Sequence, residues 1–87
     1  MKVFLGETGL DRTWQDDFPK ETSCVHCKEG ARIAFVCFEE NSPRGGYVCD
    51  LHKNDVRGEG YWPHDAVAVA IYFCRKCYQS TSLYNQA

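Results

Sequence analysis

The chain has 87 residues, a formal net charge of −2, 44% hydrophobic and 25% charged residues, which is ordinary globular composition at a length that holds one small core and not two. Six cysteines and three histidines in so short a chain leave disulfides or metal sites as the physical explanations. The charge, spread as −2 over residues 1–22, −2 over 23–65 and +2 over 66–87, excludes a broadly cationic nucleic-acid binder and confines any basic patch to one locality.

In chain order, Val3-Phe4-Leu5 reads as an edge strand at most. It is followed at once by Glu7 and Asp11, so the start carries no apolar stretch of signal-peptide length. No stretch approaches a membrane span. The expectation is a cytoplasmic protein with reduced thiols and no membrane association. Residues 1–23 read as an N-terminal arm and the likeliest place for disorder, with Trp14 and Phe18 as loop anchors packed over the first cysteine pair.

Residues 24–78 read as the metal-binding domain. Cys24-Val-His-Cys27 is a pair spaced so that both thiolates reach one ion. Gly30 is read as supplying the positive φ that turns the chain away from it. The β-branched and aromatic residues of 31–39 predict a strand. Asn41-Ser42-Pro43-Arg44-Gly45-Gly46 predicts a turn, and Tyr47-Val48-Cys49 a return strand. A short helix is predicted over Asp50–Val56, carrying a second ligand pair, Cys49-Asp-Leu-His52, with 21 residues between Cys27 and Cys49. Tyr61-Trp62-Pro63-His64-Asp65 reads as an aromatic loop. Val67, Val69, Ile71 and Phe73 alternate with alanines and Tyr72, which predicts a strand leading into Cys74-Arg-Lys-Cys77. Residues 79–87 read as a flexible tail.

The order of pair, hairpin and second pair at the start of a short helix resembles the treble-clef zinc finger, and the strand running into Cys74-x2-Cys77 is that of a zinc ribbon. The treble-clef resemblance covers about a third of the chain. It implies an α+β, zinc-stabilised fold and one tetrahedral site of Cys24, Cys27, Cys49 and His52. The third pair, Cys74 and Cys77, has three placements, in order of preference. It forms a second site with Cys37 and His64, the weakest ligands, since a lone cysteine in an apolar strand is usually a small hydrophobe. It joins Cys24 and Cys27 as a ribbon, leaving Cys37, Cys49, His52 and His64 for another site. Or it stays free. The cofactor expectation is thus one or two Zn²⁺ per chain, with His26 a solvent-facing filler.

Catalysis is not expected. The zinc deaminase, protease, phosphate-loop and dinucleotide motifs are all missing from the sequence. A four-ligand zinc leaves no position for substrate water. A rubredoxin-type iron site could be drawn from Cys24, Cys27, Cys74 and Cys77, but neither pair has the Cys-Pro-x-Cys-Gly form of that family. The expected role is a non-catalytic module or small subunit binding a protein partner, with Trp62 as candidate anchor. The alternative is an accessory protein that binds nucleic acid weakly through Arg44, Arg75 and Lys76, with Tyr61, Trp62 and Tyr72 as stacking surfaces.

Overall fold

The computed structural model describes residues 1–39 and 66–86. They form one antiparallel sheet of five strands: β1 (Lys2–Leu5), β2 (Glu21–Ser23), β3 (Gly30–Phe38), β4 (Val67–Cys74) and β5 (Ser80–Gln86). The strand order is β1-β3-β4-β5, with β2 also on β3. The helical element among the described residues is one 3₁₀ turn, Gly6–Gly9. The α+β expectation is therefore corrected to an antiparallel-sheet fold for this part of the chain. The expected helix Asp50–Val56 and the return strand Tyr47–Cys49 lie outside the described residues.

β3 is the spine. On one side, β1 pairs with Phe35–Phe38 and β2 with Gly30–Arg32, so the two short strands lie end to end along the same edge. On the other side, β4 pairs from Ala31↔Cys74 to Phe38↔Ala68, with a bulge between Ile33 and Phe35. The bulge matters for the faces. It keeps Ile33 and Val36, opposite Tyr72 and Ala70, on one side of the sheet, and sends Phe35 and Cys37 to the other. The partner of β3 is thus β4, a strand from the far end of the chain.

The core lies on the face that carries Ala31, Ile33, Val36, Ala68, Ala70, Tyr72 and Cys74, all buried. Ala68, Ala70 and Tyr72 of β4 point inward and Val67, Val69, Ile71 and Phe73 outward, so the packed face is the one with the alanines. Small inward residues allow the N-terminal arm to lie close on the sheet: Gly9 sits buried against Phe4 and Val36, and Phe18 is in the core cluster with Leu10 and Trp14 packed against it. Trp14 stacks on Phe38 with ring centroids 5.0 Å apart. This is the end of β3 away from the cysteines, so Trp14 does not pack over the first pair, whereas Phe18 does belong to the cluster that contains Cys24. The expected arm and tail are both parts of the sheet. β5 holds the arm with polar side chains: Asn85 Oδ1 accepts from the Trp14 amide at 3.0 Å, and the Tyr72 hydroxyl on β4 donates to the Pro19 carbonyl at 2.7 Å.

The opposite face presents Val3, Leu5, Phe73 and Tyr84, which are exposed, around the half-buried Phe35, Cys37, Val69 and Ile71.

Candidate metal centre

The register Ala31↔Cys74 sets the geometry of the site. It places the turn before β3 beside the turn after β4, at one end of the sheet. The two turns are built alike. In the first, the Lys28 amide donates to the Cys24 carbonyl at 3.0 Å, and the Cys24 amide to the Glu29 carbonyl at 2.7 Å. In the second, the Tyr78 amide donates to Cys74 at 3.1 Å, and the Cys74 amide to Gln79 at 3.0 Å. Each chain enters its next strand three residues after its second cysteine, at Gly30 and at Ser80. The residue that turns left-handed in each is the one after the second cysteine: Lys28 at φ 67° and Tyr78 at φ 61°. Gly30 is not among the positive-φ residues, which corrects the reading that it makes the turn.

The four sulfurs of Cys24, Cys27, Cys74 and Cys77 lie within 4.8 Å of one another. The closest distances run across the turns, 3.6 Å from Cys24 to Cys77 and 3.5 Å from Cys27 to Cys74. A tetrahedron with metal–sulfur bonds of about 2.3 Å has edges of about 3.8 Å, so the set fits one four-coordinate metal. These are also not disulfide distances, which are about 2.05 Å, and the cysteines are free. Cys24 and Cys74 are buried while Cys27 and Cys77 are half-buried.

Backbone amides prepare the sulfurs for negative charge. The Cys27 and His26 amides donate to Cys24, and the Cys77 and Lys76 amides to Cys74. The Cys27 amide contributes most to holding the Cys24 thiol down at about 6, against burial that raises it. Cys74 is lowered in the same way. Cys27 and Cys77 each accept one amide, from Glu29 and Gln79, which lowers them, but burial and the neighbouring thiols outweigh it. Cys27 is raised, and Cys77 is raised to about 12. Four thiols this close cannot all ionise alone, because each new thiolate repels the others. A cation removes that penalty, and the chemistry of the set calls for one.

Side chains of the two halves lock the turns together. Thr81, buried on β5, accepts from the Val25 amide at 3.1 Å. His26 is exposed, with Nε2 3.2 Å from the Ser80 carbonyl, so it packs on β5 and is not in the sulfur cluster. Cys37 is half-buried on β3 with its thiol raised by burial, and it too is outside the cluster. Cys49, His52 and His64, the other expected ligands, lie outside the described residues, as do Tyr61 and Trp62. Tyr72 is fully buried and offers no stacking surface.

The grouping is the ribbon arrangement of the sequence alternatives, with Cys24 and Cys27 set against Cys74 and Cys77. Sequence reasoning gave first place to a different partner for the Cys24 pair. The two pairs share the Cys-x2-Cys form, but the matching strand after the second, β5, is polar and leaves no hydropathy signal, so nothing local in the sequence singles out this grouping. Fold and site together define a small antiparallel-sheet module with a metal-binding cysteine cluster, consistent with a zinc-ribbon-like site. Comparison of the chain with protein-family models, with curated proteins and with solved structures finds no match. No helix among the described residues is long and apolar enough to cross a membrane.

Proposed function

We propose that the chain is a non-catalytic binding module, or small subunit, held together by a structural Zn²⁺ on Cys24, Cys27, Cys74 and Cys77, and that it works by binding a protein partner in a reducing, cytoplasmic setting. The observation that carries this reading is the closed set of four sulfurs. Four protein ligands complete zinc's tetrahedron and leave no open position for a reactive water. The amide-to-sulfur bonds fix the thiolates in place, as outer-shell donors do in metal sites. Structural zinc contributes on the order of 10 kcal/mol in small fingers, enough to decide the folding of a domain this small.

Cys49-x2-His52, with Cys37 and His64, makes up a second complement of ligand types, and the proposal includes a second Zn²⁺ there. Elemental analysis of protein purified without added metal tests both points. Two zinc ions per chain are expected with the second site filled, and a count of one would remove the second site alone, while Cys74→Ser with Cys77→Ser should strip the ion from Cys24 and Cys27 as well. Retention of that zinc by the double variant would overturn the assignment.

An all-cysteine set with amides donating to its sulfurs also suits a rubredoxin-like iron centre. Visible absorption separates the two, since an iron–thiolate site is coloured and a zinc site is not. Zinc is the preferred metal because both turns carry a side chain at the left-handed position after the second cysteine, where the rubredoxin form has glycine.

A further inference from the structure

We infer that the outer surface of the two cysteine turns is the face that docks the partner, and that it takes an acidic protein segment carrying an apolar side chain. The inference rests on the protein-binding reading above and locates its contact.

The turn end brings exposed apolar side chains and cations together in one place. Tyr78 is 86% exposed and Val25 59% exposed, the first being the most exposed of the large apolar side chains among the described residues. Tyr78 and Lys28 both hold left-handed backbone, which costs a residue with a Cβ about 1–2 kcal/mol relative to glycine. Glycine would make the same turn without strain, so the side chains, and not the turn, account for these residues. Arg75 and Lys76 project from the second turn and Lys28 from the first, all exposed. Lys76 pairs with Glu29 at 3.2 Å across the two turns. That pair ties Glu29 down, and Lys28 and Arg75 make no ion pair among the described residues. The sum over residues 66–87 is +2 against −4 for residues 1–65, and that +2 is Arg75 and Lys76 on the second turn.

Two free cations flanked by an aliphatic and an aromatic side chain form a small mixed patch. Its chemistry complements carboxylates around an apolar residue. A nucleic-acid strand fits it less well, because Val25 offers a phosphate backbone nothing and Glu29 stands among the cations. The competing account is that Lys28, Arg75 and Lys76 offset the excess charge of four thiolates on a divalent ion.

The test uses the zinc-loaded full chain and two fluorescent probes, a peptide of alternating glutamate and leucine and an oligothymidylate. The peptide should bind more tightly than the oligonucleotide. Lys28→Gln with Arg75→Gln, and separately Tyr78→Ser, should each weaken peptide binding roughly tenfold, about 1.4 kcal/mol, with zinc content and melting unchanged. Equal binding by the variants, or no binding, overturns the inference. So does tighter binding of the oligonucleotide, and so does loss of zinc from the charge variant, which would make the cations counter-charges to the thiolates. If a native partner is captured equally well by wild type and variants, the docking face is wrong while the protein-binding reading stands. Zinc-free native protein would instead remove the reading beneath it.

Discussion

Alanine at position 9 and alanine at position 30 are the same chemical change with opposite expected signs. Gly9 is buried between the arm and the sheet, and a Cβ there would stand 2.8 Å from the Cβ atoms of both Phe4 and Val36 and 3.0 Å from Val36 Cγ2. Carbon atoms rest at about 3.5–4.0 Å, so about 0.7 Å or more must be found at two points. Neither obstacle can rotate away, because a Cβ is fixed to its backbone, and Phe4 and Val36 are paired across β1 and β3. The 3₁₀ turn must lift from the sheet, at a cost of about 1–3 kcal/mol. Removing a glycine from the unfolded chain returns about 0.4–1 kcal/mol, which leaves Gly9→Ala net destabilising by roughly 1–2 kcal/mol. Gly30 has no atom within 4 Å of its built Cβ and an ordinary φ, so Gly30→Ala keeps the gain without the overlap. Urea unfolding of metal-loaded protein at one fixed free-zinc concentration is the assay, since bound metal shifts stability by mass action. The midpoints should move apart with m unchanged. In a thermal melt, Gly9→Ala should fall by roughly 4–16 °C, at about 4–8 °C per kcal/mol for a domain this small. A Gly9→Ala protein as stable as wild type would mean the arm does not lie on the sheet as described.

Tyr72→Phe removes a hydroxyl from a fully buried side chain and leaves the Pro19 carbonyl without its donor; the expected loss is about 1 kcal/mol in chemical denaturation, with the zinc count unchanged. Metal binding should release protons. Cys27 and Cys77 hold theirs more tightly than free thiols, so zinc uptake at pH 8, followed with a pH indicator, should liberate at least about two protons per ion. The sign follows: apparent zinc affinity rises with pH, by at least about two decades per pH unit near neutrality, and falls more steeply below about pH 6, where the Cys24 thiolate also takes up a proton. An affinity independent of pH would mean that thiolates are not the ligands.

The two long strands were legible because each reports its own environment. Residues 31–39 and 66–73 are dense in β-branched and aromatic side chains, and the structure has β3 and β4 there within one residue. β5 was illegible to the same reading. Its sequence, Ser80-Thr-Ser-Leu-Tyr-Asn-Gln86, has few apolar residues because its inward positions serve as hydrogen-bond partners. Thr81 and Asn85 accept from backbone amides of the N-terminal half, and hydropathy carries no trace of that. β2, Glu-Thr-Ser, is silent because it carries no apolar residue. The cysteine pairs could be read one by one, since a two-residue spacing is a local property. Which pair meets which depends on the β3–β4 register between residues 31 and 74, a distant pairing that no local spacing encodes. The positive φ was assigned to Gly30 on residue type alone, and the backbone puts it on Lys28 and Tyr78 instead.

The separation of the two cysteine turns along the chain also sets an order in time. Cys74 follows Cys27 by 47 residues (74 − 27), and a ribosome adding about 5–20 residues per second takes roughly 2–9 s to cover them. For that interval the nascent chain offers an ion two thiols of a set of four. A chain that ends early never completes this set, so firm retention of an ion at these four cysteines reports that synthesis has passed residue 77. Completion of the second turn and closure of the site are consecutive events, and an ion caught earlier by the first pair remains exchangeable until then.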